Sequence, residues 1–210
     1  MMKKVGFIFL FVFLVVCGSN AQSVRTHFLN MPDSITPLLT SVNKADFLDF
    51  MDSKMQAKVK NRLDGNSIMK ELTKDYLFIQ MSASSSFEIK ILPHETSPLL
   101  AVVETVSAPV KNSFIKFYDT DWNLLSTEKF FTFPTLNSFI IESIEEDLFK
   151  ELVQLVDVGF FELNLCPEST VLEVRLTSID YLNKEQIEKF RDSVVPCLEY
   201  AWDNQVFKTK

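Results

Sequence analysis

YLFIQMSASSSFEIKILP, residues 76–93, is the stretch that decides how this chain is read. Two apolar runs flank the small polar connection Ala83-Ser84-Ser85-Ser86, as in an antiparallel hairpin. Within the second run Phe87, Ile89 and Ile91 point one way, while Glu88 and Lys90 point the other. Side chains alternate across a strand, so this pattern predicts a sheet with one dry face and one wet face.

The same signals continue downstream. PLLAVVETVS (98–107) and SFIKFYD (113–119) read as further strands, joined by the short PVKN, while PHETSP (93–98) reads as a longer loop. Another strand is expected around Glu128–Phe133. Upstream, Thr36 and Pro37 suggest a short helix ending near Asn43. A second helix is expected over Lys44–Leu63, with Phe47, Phe50, Met51, Met55, Val59 and Leu63 as its buried stripe and Gly65 as its stop.

SIEEDLFKELVQLV (143–156) predicts a third helix, capped by Ser143 and Glu146. FFELNLCPESTVLEVRLTSI (160–179) reads as a second hairpin. A last helix is expected after Asn183, with Gln186 completing its capping box and a bend near Pro196, which places VVPCLEYAW in that helix. The class is α+β, an antiparallel sheet packed with amphipathic helices. The stretches after Gly65 and Gly159 are alike, which admits two related helix-plus-hairpin units, about 33–133 and 142–207, within one domain spanning 22–210.

The chain begins with Lys3 and Lys4 followed by an apolar run from Val5 to Cys17. That is the pattern of a secretory signal peptide, shorter than the roughly 20 residues of a membrane-spanning helix. Ser19-Asn20-Ala21 favours cleavage before Gln22, giving a leader of residues 1–21. Lipid attachment at Cys17 is the alternative, disfavoured by the bulky Val16 before it. The expectation is an exported protein of the periplasm or cell envelope, with no transmembrane span in the mature chain. Without Lys3 and Lys4, 19 basic side chains face 28 acidic ones, a net charge of −9. So acidic a surface repels polyphosphate, and nucleic acid is excluded as a partner.

Chemistry-bearing residues are few. The only histidines are His27 and His94. His94, beside Glu95, could be set against Ser84-Ser85-Ser86 as a hydrolase site, but no G-x-S-x-G surrounds those serines. Neither H-E-x-x-H nor C-x-x-C occurs, and only 4 glycines are present, so no metal, nucleotide or other cofactor is expected. Glu142, Glu145, Glu146 and Asp147 suit a helix N-terminus through its dipole. Asp119-Thr120-Asp121 reads as a turn. Cys166 and Cys197 are a candidate disulfide in an oxidising compartment, with two buried free thiols as the alternative. Trp122, Tyr118 and His94 are the candidate binding residues, for an envelope protein or a glycan. Trp202 is weighed the same way, with core packing favoured for both indoles.

Five phrases together resemble a known family: MPDSITPLLTSVNKADFLDF, KNRLDGNSIMKELTKDYLFIQMS, FEIKILP, TVSAPVKNSFIKFYDTDWNLL and PCLEYAWDNQVF. The chain is similar to an uncharacterised family of exported proteins from Bacteroidales bacteria, catalogued as a domain of unknown function. The most specific elements are LDGNS followed by LTKDYL, and FYDTDW. In the family pattern a cysteine often follows the Thr-Val pair, where this chain carries Ser107. The resemblance implies an envelope location in a Gram-negative cell and supplies no activity or site residues. The leading functional expectation is a non-enzymatic protein-interaction module. A polysaccharide or small-ligand binder is the alternative, and a hydrolase ranks below both.

Overall fold

Seven strands follow one another across one antiparallel sheet, each paired with its neighbour in sequence: β1 (Lys58–Lys60), β2 (Asn66–Leu72), β3 (Tyr76–Ser82), β4 (Ser85–Leu92), β5 (Leu99–Ser107), β6 (Lys111–Tyr118) and β7 (Leu124–Leu125). This is a computed structural model that describes residues 23–210. The leader, its cleavage point after Ala21 and Cys17 lie outside the described residues. Four α-helices accompany the sheet among those residues: α1 (Val24–Asn30), α2 (Ser41–Asp52), α3 (Glu146–Leu155) and α4 (Lys184–Phe190). A second antiparallel sheet holds β8 (Phe161–Leu165), β9 (Val171–Leu176), β10 (Cys197–Trp202) and β11 (Phe207–Thr209), again in chain order. The fold is α+β, and none of these helices is long and apolar enough to cross a membrane.

The large sheet is the middle layer. On one face Phe87, Ile89, Leu100 and Val102 pack with Val24 and Phe28 of α1 and Phe47 and Leu48 of α2. On the other, Leu92, Leu99, Ala101, Val103, Ile115 and Phe117 meet Leu163, Leu165, Leu172, Val174 and Trp202 of the second sheet. A smaller cluster of Leu152, Val156 and Phe190 joins α3 to α4.

Several expected elements are corrected. The helix at 44–63 ends at Asp52, and Lys58–Lys60 is an edge strand. Met55 and Leu63, expected on its buried stripe, are exposed. Lys54 turns left-handed at φ 54°, which breaks the helix. Gly65 lies in the β1–β2 turn, where Asn61 Oδ1 accepts the amides of Leu63 and Gly65, each at 3.1 Å. Thr36–Pro37 makes no helix. Thr40 takes the cap, exchanging reciprocal 3.1 Å bonds with Asn43. Helix α3 begins at Glu146, with no side-chain cap from Ser143.

At the C-terminus α4 keeps its Asn183–Gln186 capping box but ends at Phe190. Residues 197–202 are strand β10, with Tyr200 and Trp202 buried. Pro196 interrupts helical bonding, and the alternation Leu198, Tyr200, Trp202 has the strand period. Residues 128–133 form a short 3₁₀ turn and irregular chain in place of the expected strand.

Candidate functional site

The side of β4 expected to be wet is dry. Glu88 is 3% exposed and Lys90 1%, because the second sheet covers them. The reason lies in the backbone of β8. Its other neighbour is β9, so alternate amides point outward and need acceptors that no further strand supplies. Side chains of the large sheet provide them. Asn112 Oδ1 accepts the Phe161 amide at 3.4 Å, Ser113 Oγ accepts that of Leu163 at 3.0 Å, and Glu88 Oε2 accepts that of Leu165 at 3.0 Å.

Further polar ties run along this seam. The Tyr76 hydroxyl donates to Glu88 Oε2 at 3.0 Å. Lys90 Nζ donates to the Pro167 carbonyl at 2.8 Å and pairs with Asp75 at 2.9 Å. At the far end Lys111 pairs with Glu162, which also accepts from Arg175 at 3.1 Å; Arg175 in turn holds Asp180 at 3.0 Å. Burial strips water from the Glu88 carboxylate and raises its pKa to about 7. The bonds from Leu165 and Tyr76 oppose that rise, and the charges of Glu162 and Glu71 add to it. Burial, then the Glu88 charge and hydrogen bond, push the Tyr76 phenol up. None of these buried groups was singled out as a site residue from sequence.

The sequence-selected binding residues do not form one site. Trp122 and Tyr118 are neighbours, with ring centroids 5.4 Å apart, but both are buried on the helix-covered face. The indole Nε1–H donates to the His27 carbonyl at 3.0 Å, which ties the 119–123 turn to α1. Trp122 sits at φ 65°, a left-handed position uncommon for a bulky residue. Asp119 fixes the turn: Oδ1 accepts the amides of Asp121 and Asn123 at 2.9 Å each, and Oδ2 accepts from Asn123 Nδ2 at 2.8 Å. Trp122 and Tyr118 are core side chains rather than exposed anchors. Burial also lowers the His27 pKa, against an opposing backbone bond at Thr120.

His94 lies at the same end of the sheet as Tyr118 but packs edge-on against Phe130, on the opposite face, with ring centroids 6.2 Å apart. Its Nδ1 is 3.3 Å from Thr96 Oγ1. Ser84–Ser86 sit at the other end of β4, a strand about 24 Å long at ~3.4 Å per residue, so no serine–histidine pair forms there. Trp202, in the second sheet, donates its Nε1–H to the Pro93 carbonyl.

Cys166 and Cys197 are free thiols. Cys197 pairs with Arg175 in β9, whereas Cys166 bonds back to Val171, four residues along that strand. The offset is about 13 Å along the sheet and ~10 Å across it, beyond disulfide reach. Of the two readings, bridge or free thiols, the fold holds the free thiols, both half-buried. Among the described residues no group of three or more His, Cys, Asp or Glu is placed to hold a metal ion.

One surface is left bare. Strand β7 covers only Phe117 and Tyr118 of the eight-residue β6. The helices reach Tyr118 but leave neighbouring positions on their side of β5, β6 and β7 open: Val106, Phe114 (54% exposed) and Leu124 (65%). The Glu104–Lys116 pair, 3.0 Å long, lies among them. Across the open β6 edge stands Phe133, 41% exposed. Phe114 and Phe133 border an open cleft of about 510 Å³ with Phe131 and Thr127. Phe133 also borders a second cleft of about 530 Å³ toward Tyr200 and Lys208.

The chain matches the family described as "Protein of unknown function (DUF3256)" over residues 16–207. It belongs to that family. A solved structure of a domain of an uncharacterized protein from Porphyromonas gingivalis W83 is similar, with a TM-score of 0.80 and 24% identity, covering 90% of this chain and 98% of that one. That likeness concerns the fold. No curated protein matches.

Proposed function

We propose that this DUF3256 protein is an exported cell-envelope module that binds another protein, acting as one domain after a leader cleaved behind Ala21. The observation that carries the reading is the uncovered strip of the large sheet, where Val106, Phe114 and Leu124 share one face of three adjacent strands. Exposed apolar side chains around an ion pair and beside an open cleft suit a partner's apolar and polar groups together. Phe133, on the far side of the cleft, supplies a second aromatic contact. The lysine-led apolar start supports export.

The test is capture from an envelope extract with the mature chain and with a Phe114→Ser/Phe133→Ser double variant. A reproducible partner retained by the native chain and lost by the well-folded variant is expected. Equal capture by both chains, or recovery of the unprocessed chain in the cytosolic fraction, overturns the reading.

A further inference from the structure

We propose that Glu88 is a proton-operated latch between the two sheets: protonated, it holds β8 tightly to the seven-stranded sheet, and ionised, it loosens that seam. The proposal is independent of the partner-binding reading above. It rests first on placement. Glu88 projects from β4 between the sheets, with one oxygen accepting both the Leu165 amide and the Tyr76 hydroxyl. A proton on Oε1 leaves both of these bonds to Oε2 in place.

The charged groups around it do not favour the anion. Lys90, two residues on and on the same face, is already engaged by Asp75 and the Pro167 carbonyl. Among the described residues no lysine or arginine lies within ion-pair distance of Glu88. Glu71 of β2 and Glu162 of β8 both repel a charge there, and the Cys166 thiol lies within charge range of Tyr76. An ion in such a place is stabilised by admitting water. The path for water is along β8, whose outward amides are held by side chains alone. Water drawn in to solvate the carboxylate competes there with the Leu165 bond, although the charged oxygen is itself the stronger acceptor. The raised proton affinity of Glu88 places the transition near neutrality.

Hydrogen exchange of the mature chain between pH 5.5 and 8.5, corrected for intrinsic exchange, tests this at β8. Protection of the Leu165 amide is expected to fall on the order of tenfold or more over that range, while amides of β2 stay unchanged. Glu88→Gln, which keeps an acceptor but cannot ionise, is expected to remove the pH dependence. Flat protection in the native chain, or an equal fall in Glu88→Gln, overturns the latch. If that variant does not fold, the carboxyl ¹³C titration of Glu88 in the native chain decides. A midpoint near neutral supports the proposal, and one near the ordinary 4.5 overturns it.

Discussion

The two faces of the seven-stranded sheet are closed by different chemistry. Helices α1 and α2 cover theirs with Val24, Phe28, Phe47 and Leu48, with a few polar ties: the Trp122–His27 stitch, the Val24 amide on the Lys74 carbonyl and Asn43 Nδ2 on the Lys60 carbonyl. The four-stranded sheet covers the other with an apolar centre and a rim of Glu88, Lys90, Asn112, Ser113 and Glu162. The difference follows from what each covering element brings. Between its ends a helix satisfies its own backbone, so side-chain burial suffices. An edge strand arrives with an unpaired amide at every second residue, and each must find an acceptor or lose about 1–3 kcal/mol.

The largest expected effect attacks the helix-covered face. Phe47→Ala empties a fully buried ring that packs on Phe28 at 6.4 Å. It should cost about 3–5 kcal/mol, read as a shift in urea midpoint with little change in slope.

The second contrast is in pH. The folded-state pKa of Glu88 is raised to about 7 from an ordinary 4.5. Its stabilising contribution is therefore complete below the unfolded value and is lost as pH rises through about 7. At ~1.4 kcal/mol per unit this amounts to roughly 3 kcal/mol. His27 acts in the opposite sense. Its folded pKa is lowered by burial, so its contribution is present above the unfolded value of 6.5 and lost as pH falls through the folded one. Stability measured from pH 4 to 8 should show both slopes. Glu88→Gln should abolish the one on the rising-pH side and leave the acid-side loss intact.

The smallest effect concerns the stitch. Trp122→Phe removes the indole donor and leaves the aromatic packing largely in place, for an expected loss of about 1 kcal/mol. A loss above ~3 kcal/mol would mean that the helix-covered face also depends on polar contacts.

The sequence shows much of the fold where its pattern has a single physical meaning. The hairpins of β3–β6 follow from two-residue alternation and polar connections, and Asn183–Gln186 follows from cap chemistry. It misleads where one pattern serves two environments. Glu88 and Lys90 alternate with apolar residues as a solvated face would, yet here the polar face meets amides of another sheet. Lys58–Lys60 carries too few residues to outvote the helical stripe before it. CLEYAW keeps its strand period, which the capped helix upstream obscures. Trp122 and Tyr118 stand out as large aromatic rings, but burial follows from the bond the indole makes with α1. Phe114 reads as an ordinary strand residue, and only the short reach of β7 reveals it as surface.

In both sheets every strand lies beside the one made just before it. Most pairing is therefore with recently synthesised chain, and closure of each new loop costs little entropy. A polypeptide emerging end-first through a narrow pore can build the large sheet one hairpin at a time. The later sheet then docks onto a surface already in place, with no segment threaded between earlier ones.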